Sequence, residues 1–392
     1  MSPCFWMMRV ELGNFDHAVF LRDYWQQKPL LIRQPWTAWR NPLAPDELAG
    51  LACEEGIESR LIVGGSGAWR VEHGPLAEAR FGTLGEAGWT LLVQAVDHHV
   101  AEVAALLEPF RFVPNWRIDD VMVSYAADGG GVGPHFDQYD VFLVQGLGRR
   151  RWRIGGMCDE ATPLLPHDDL RLLADFAVRD EWVLEPGDML YLPPGVAHDG
   201  VAIGGDCMTY SVGFRAPSRA ELIGQWADEV LGELSEDDRY ADPGLKRQGN
   251  PGEISGTALA QMQAMVAELL LDAAGFARWF GQYSSARKYP EVDWRPAKAM
   301  SEKALRARLR GGAELERNPA SRFAFVEQPQ GALLLFVDGE CYDVAGETAV
   351  FARSLCAQER MVAGAGLANC GEAITLITRL YNQGSVAFTG ED

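Results

Sequence analysis

Short apolar runs alternate with glycine- and proline-bearing punctuation from the N-terminus to about residue 215. The runs at 61–63, 89–93, 121–125, 141–144, 152–154 and 189–192 are built from β-branched, aliphatic and aromatic residues and end in turn formers. That pattern predicts strands: such side chains fit a pleated sheet, and the turn residues stop its propagation. Helical spacing intervenes only briefly, at 18–27 and 100–107. Many short strands with few helices between them predict a β-sandwich or jelly roll.

The period changes after residue 216. Ser218-Arg-Ala-Glu221 has the spacing of a capping box, in which serine and glutamate side chains each satisfy a backbone N–H at a helix start. Leu259, Met262, Val266, Leu269, Leu270 and Ala273 then recur at helical spacing. A polar loop bearing Pro and Gly, 242–256, separates these helical stretches. The apolar stripe fits a dimer interface or packing within its own domain equally well. Farther on, the pattern predicts a helix over 301–309, a hairpin over 322–326 and 333–337, and helices over 348–357 and 373–381. This layout resembles a winged helix. The expected organisation is a strand-rich domain over 1–216, a helical region over 217–290 and a winged-helix-like domain over 291–392. No internal repeat or low-complexity tract interrupts it.

A chain of 392 residues, 47% hydrophobic and 23% charged, has ample material for a core and is not disordered in the main. Lys and Arg number 35 against 55 Asp and Glu, a net charge of −20. That balance disfavours a general nucleic-acid binder, which needs cations to displace counterions from phosphate. It suits a basic protein partner, although acidity also serves solubility. Over 297–392, ten basic residues face twelve acidic ones, so the winged-helix-like region reads as a protein contact and no direct DNA binding is expected. Seven cysteines, at 4, 53, 158, 207, 341, 356 and 370, form no C-x-x-C pair and fit reduced thiols in a cytoplasm. The apolar start is too short and too acid-flanked for a signal peptide, and no run of about 18 apolar residues predicts a membrane span.

The informative chemistry begins at Gly129-Gly-Gly-Val-Gly-Pro-His135-Phe-Asp137. On a strand, residues two apart share a face, so His135 and Asp137 would offer two metal ligands together. A second histidine follows the turn Glu185-Pro-Gly-Asp188 and the run Tyr191-Leu-Pro-Pro-Gly-Val-Ala-His198. His198 would sit just past a strand ending at the two prolines, at the rim. Two histidines and a carboxylate with open positions is the donor set of non-haem Fe(II) oxygenases; a structural zinc site would be closed. An isolated H-x-D also fits a surface turn, but the full set is far more specific.

A cation belongs to the same picture. In Gly148-Arg-Arg150-Arg-Trp152-Arg-Ile154, strand alternation groups Arg150 with Trp152 and Ile154 on the apolar inner face. A buried guanidinium needs an anion, and its fork matches a carboxylate. The candidates are the distal carboxylate of 2-oxoglutarate or an internal acidic partner.

The run from His135 to Trp152, the run from Tyr191 to His198, the approach Pro114-Asn-Trp-Arg-Ile-Asp-Asp-Val-Met-Val-Ser124-Tyr and the N-terminal Tyr24-Trp-Gln-Gln-Lys-Pro-Leu-Leu-Ile-Arg33 resemble JmjC-type oxygenases, and among them the bacterial ribosomal oxygenases. The resemblance covers most of 15–215 and, in layout, the remainder. It implies a mixed α+β chain: a double-stranded β-helix (jelly-roll, cupin/JmjC) core, a helical dimerisation region and a winged-helix-like C-terminal domain. It implies Fe(II)-, 2-oxoglutarate- and O2-dependent hydroxylation of a basic large-subunit ribosomal protein. In the closest bacterial members the target is arginine C3 of the sixteenth protein. Carried over, His135, Asp137 and His198 hold the iron, while Arg150 and Ser124 bind the co-substrate. A homodimer is implied. The same chemistry also fits hydroxylation of another residue or N-methyl demethylation, and a non-enzymatic cupin-like binding module is the third reading. Of the other polar residues, Asp97-His98-His99 reads as a helix start, His17, His73 and His167 as surface residues, and Asp128, Tyr139 and Asp140 as solvated positions.

Overall fold

Nine strands make one sheet in the N-terminal part: β1 (Leu30–Ile32), β2 (Ser59–Val63), β3 (Arg70–His73), β4 (Trp89–Val93), β5 (Ile118–Ala126), β6 (Asp140–Met157), β7 (Asp180–Leu184), β8 (Met189–Leu192) and β9 (Val196–Phe214). The order is β1-β8-β6-β9-β5-β4-β2-β3, with β7 also on β6, and every pairing is antiparallel. The computed structural model describes residues 12–13, 15–64, 69–362, 364 and 366–390. Cys4 and the apolar start of the chain therefore lie outside the described residues. The chain divides into two compact units, Met1–Ala216 and Pro217–Asp392.

The sheet is jelly-roll-like because two strands are very long. The predicted runs 141–144 and 152–154 are the two ends of β6, which pairs with β9 from Asp140↔Phe214 to Met157↔Val196. Register shifts fall between Gln145 and Arg149 and again after Ile154. Such irregularities bend a strand and add twist, so one strand can serve two halves of a rolled sheet. Both faces of β6 are buried. Phe142 and Val144 join a core with Phe20, Phe110, Tyr191, Tyr210 and Phe214; Val141, Leu143, Trp152 and Ile154 join Leu190, Leu192 and Val196 on the other face. Each such side chain contributes about 1.5–3 kcal/mol on burial.

The short helices are shorter than their spacing predicts. The first runs His17–Asp23, capped by the Asp16 carboxylate on the Ala18 and Val19 N–H groups. It stops because Gln26 turns to a φ of 56° and donates its backbone N–H to Tyr191 Oη at 2.7 Å. The predicted 100–107 helix is α-helical only over Ala101–Ala104 and continues as a tighter 3-10 turn, Ala105–Phe110, which contains Pro109. The Glu185-Pro-Gly-Asp188 turn is held by buried Asp188, which accepts from Glu185 N at 2.9 Å, Gln34 N at 3.2 Å and Arg33 Nη1 at 2.5 Å.

In the C-terminal unit the capping box is present: Ser218 Oγ accepts from Glu221 N at 3.0 Å, and Glu221 Oε2 accepts from Ser218 N at 3.3 Å. The helix it opens, Arg219–Glu233, is followed by Gly256–Leu270 and Ala273–Ser285. Trp226, Phe276 and Trp279 pack together between them. Within this unit Leu259, Met262, Val266 and Ala273 of the predicted stripe are exposed while Leu269 and Leu270 are half-buried; Ile223, Leu231 and Leu271 are exposed as well, and Gly256–Leu270 buries no residue. The winged-helix part carries the predicted hairpin as β11 (Phe323–Glu327) and β12 (Leu333–Val337), after β10 (Glu314–Arg317). Its helices Glu302–Arg310, Gly346–Ala357 and Gly371–Asn382 surround Leu305, Leu335, Phe351, Leu355, Ile377 and Leu380.

Candidate metal centre

The chain reaches the site through glycine. After β5, Gly129 N–H donates to Ala202 O at 3.1 Å and Ala202 N–H donates to Gly130 O at 2.9 Å, so this stretch runs against β9. A Cβ at Gly130 would lie 2.2 Å from Trp89 O, and one at Gly131 would lie 2.6 Å from Gly200 O. Only glycine permits that approach. It delivers His135 opposite His198, where the two exchange backbone hydrogen bonds of 3.0 and 2.8 Å. The expectation of a regular strand under His135 and Asp137 is corrected: His135 makes an isolated bridge, and the chain then bends toward β6. His198, expected just beyond a strand, is the third residue of β9. The bend brings Asp137 back, its carbonyl accepting from Gly195 N at 2.7 Å.

Three side chains converge. One donor atom from each of His135, Asp137 and His198 lies within 4.8 Å of the others, the one such group among the described residues. His198 Nε2 is 3.6 Å and His135 Nε2 4.0 Å from Asp137 Oδ2. Both Nδ1 atoms are engaged: His135 Nδ1 with Gly133 O at 2.8 Å, and His198 Nδ1 with Val196 O at 2.9 Å. A carbonyl only accepts, so each Nδ1 carries the proton and each Nε2 lone pair is free for a ligand. Burial, reinforced by the neighbouring His135, pushes His198 down to about 4, so its imidazole is neutral at physiological pH. Neutral imidazole is the metal-binding form. The donor set and its orientation fit a divalent transition metal with open positions.

Arg150 lies inside the sheet, 3% exposed. No acidic side chain pairs with it among the described residues; its Nη2 is 3.5 Å from Ser124 Oγ, and its Nε has no partner. Ser124, also buried, donates to Thr209 O at 3.4 Å. A guanidinium held in a dry interior beside a metal triad fits a carboxylate arriving with a ligand.

Sequence reasoning missed what covers the ligands. The segment 158–179, for which the sequence pattern predicts no element, returns over them: Leu173 N–H donates to Pro134 O at 2.8 Å. Leu173 forms a buried cluster with Phe136 and Ala197, the residues flanking the ligands, with Cys158, Leu164 and Phe176 packed against it. The signal was the apolar set Leu164, Leu172, Leu173 and Phe176 inside a polar stretch, too irregular to read as an element. Asp140 is a second correction. It is fully buried, accepting from Tyr191 Oη at 2.6 Å, Gln26 Nε2 at 2.9 Å and Arg117 Nη2 at 3.1 Å. Asp128 is exposed, as expected; Tyr139 is exposed along part of its ring, but its hydroxyl is buried and hydrogen-bonds the ligand Asp137, which corrects the solvated reading. Asp97 and His98 lie in a short 3-10 turn and are buried, Asp97 accepting from Val121 N at 2.8 Å; they take no part in the triad. His17 and His73 are exposed, and His167 is half-buried beside Trp69 O.

This geometry has counterparts. A JmjC-domain profile matches residues 105–222, a ROXA-like winged-helix profile 266–387, and an AraC-like ligand-binding-domain profile 177–274. The chain is 43% identical to the ribosomal protein uL16 3-hydroxylase of Escherichia coli over 277 residues, 71% of this chain and 73% of that one. It is 45% identical to a probable ribosomal oxygenase of Haemophilus influenzae over 208 residues, about half of each chain. The X-ray structure of E. coli YcfD superposes with a TM-score of 0.89 at 35% identity, covering 97% of this chain and all of that one. A structure of YcfD, a ribosomal oxygenase, in complex with cobalt and 2-oxoglutarate superposes at 0.86 with 34% identity, covering 97% and 100%. With this identity over more than two thirds of a characterised relative, and the same fold along nearly its whole length, the chain belongs to the JmjC-domain ribosomal oxygenases.

Proposed function

We propose that this chain is an Fe(II)- and 2-oxoglutarate-dependent oxygenase that hydroxylates a side chain, arginine C3, of the large-subunit ribosomal protein uL16. The observation that carries the reading is the triad itself: two Nε2 lone pairs and a carboxylate oxygen within 4.8 Å, beside an inward guanidinium that no acidic residue of the described chain neutralises. The uL16 3-hydroxylase of E. coli and the cobalt–2-oxoglutarate complex of YcfD support it.

In this reading His135, Asp137 and His198 hold the iron, and Arg150 with Ser124 binds the distal carboxylate of the co-substrate. The metal, the co-substrate and O2 together supply the oxidising chemistry that functionalises an unactivated C–H bond. The chain's own residues orient and shield. The carbonyls of Gly133 and Val196 lock the two imidazoles with Nε2 inward. Phe136, Leu173 and Ala197 keep water from the backs of the ligands. The unit 1–216 is the catalytic domain, 217–290 the dimerisation region and 291–392 a winged-helix-like protein-contact domain. The exposed stripe of Ile223, Leu231, Leu259 and Val266 supports a homodimer. No described helix is long and apolar enough to cross a membrane. A ribosomal-protein substrate is consistent with a cytoplasmic location without direct DNA binding.

The test is intact-mass comparison of ribosomal proteins from cells with and without this chain. One large-subunit protein should carry one additional oxygen atom only when the chain is present. Identical masses, together with no succinate released from 2-oxoglutarate by the iron-loaded protein with ribosomal proteins added, reject the reading.

A further inference from the structure

Two buried donors stand side by side in the interior without acceptors. Trp152 is 5% exposed, and its Nε1 has no hydrogen-bond partner; the same holds for Nε of Arg150, two residues earlier on the same face of β6. Buried indole N–H groups are as a rule partnered, because stripping water from a donor without replacing the bond is costly. The two groups are neighbours, with Arg150 Cζ 5.7 Å from the Trp152 ring centroid. The indole also lies 5.9 Å from the His198 ring.

The surroundings say where the acceptor is not. The apolar cluster containing Trp152 includes Val141, Leu143, Leu190, Leu192 and Val196, whose side chains offer no lone pair. Gly200, the residue paired with Trp152 on β9, has no side chain to offer one either. A Cβ at Gly200 would meet Cζ2's neighbour Cη2 and Cζ3 at 2.6 Å and Cε3 at 2.9 Å, so the indole edge away from Nε1 faces Gly200. Gly200 cedes its side-chain volume to the ring and leaves the N–H directed away from that strand. Indole and guanidinium are both donor-only groups. Two neighbouring donor-only groups that are both buried match a ligand with two acceptor oxygens and negative charge, which is a carboxylate.

We propose that Trp152 is a second hydrogen-bond donor for the distal carboxylate of the co-substrate, acting beside Arg150. This rests on the 2-oxoglutarate reading above and adds a binding residue to it. The indole fixes one carboxylate oxygen while the guanidinium neutralises the charge, and the contact between the two side chains keeps them in one arrangement.

Calorimetric titration of 2-oxoglutarate into cobalt-loaded wild type and Trp152→Phe tests it, with cobalt affinity measured on the same samples. Phenylalanine keeps an aromatic ring but removes both the donor and the outer indole atoms that lie against Gly200, so the cobalt and 2-oxopentanoate measurements separate the lost donor from lost packing. Loss of a hydrogen bond to a charged group predicts about tenfold weaker 2-oxoglutarate binding, with cobalt affinity unchanged. For 2-oxopentanoate, which lacks the distal carboxylate, the two proteins should bind alike. Equal 2-oxoglutarate affinity in both proteins overturns the proposal. So does a parallel loss for both oxoacids or for cobalt, because that outcome marks a packing role beside His198. Cobalt-loaded wild type that does not bind 2-oxoglutarate rejects the co-substrate reading itself, whatever the variant does. Should Trp152→Phe fail to fold, the zinc-loaded wild type labelled with 15N-tryptophan decides. One of its twelve indole N–H resonances should move downfield on adding 2-oxoglutarate, and none moving overturns the assignment.

Discussion

Each triad histidine is aimed by a carbonyl two residues earlier in its own chain, Gly133 for His135 and Val196 for His198. That short local bond fixes tautomer and ring direction without a second side chain. His135→Ala should lower cobalt affinity more than about 100-fold, since losing a ligand exceeds the loss of an outer-shell partner. The unfolding midpoint should stay near wild type, because the ring is only half-buried; a titration and a thermal melt read the two effects apart. Arg150→Ala should mainly raise the 2-oxoglutarate concentration needed for half-maximal turnover. Gly200→Ala should destabilise by about 1–3 kcal/mol through overpacking against the Trp152 ring, measured by urea unfolding. The ligands and Arg150 were legible as residues because metal donors and inward cations are chemically distinctive. Asp140 was not. An acid three residues from a ligand looks solvated until Tyr191, Gln26 and Arg117, each distant in sequence, close around it.

Among the elements, the long strands were legible only in pieces. The runs 141–144 and 152–154 read as two strands because Gly146 and Gly148 interrupt the apolar pattern; in the sheet those glycines sit where β6 bends against β9 and continues. The segment 158–179 shows the converse. Its apolar residues follow neither helix nor strand period, yet Leu164, Leu173 and Phe176 gather in one cluster with Phe136 and Ala197. Leu173→Ala should cost about 2–5 kcal/mol at a buried position. It should also weaken cobalt binding about tenfold, because the ring of Phe136 would lose its packing partner while the backbone bond to Pro134 remains. Unchanged cobalt affinity in a destabilised variant would show that the segment only covers the ligands and does not align them. The capping box at Ser218 was legible to the residue, being a contact within four positions.

On the scale of the whole molecule, a charge of −20 sets up a field that favours a basic partner. The association rate with a basic ribosomal protein should therefore fall several-fold as salt is raised from about 50 to 300 mM, as the screening length shortens. Stopped-flow binding checks this, and a salt-independent rate would exclude long-range steering. The apolar stripe on the helices after Ser218 remains solvent-facing within its own unit, so its exposure gives the proposed homodimer a surface to bury.

Local chemistry was written in the sequence: donor types, their spacing, the glycines that allow close approach, the turns, the caps and the alternation that turns Arg150 inward. These depend on contacts within a few residues, where covalent geometry leaves few choices. The tertiary structure decided which distant groups meet: that His135 pairs with His198 across an isolated bridge, that Asp140 is buried, and that a loop walls the ligands. It also decided that Trp152 Nε1 and Arg150 Nε are both buried without an acceptor. Those outcomes depend on how a bent sheet rolls, a sum of many weak long-range contacts that no short window of sequence contains.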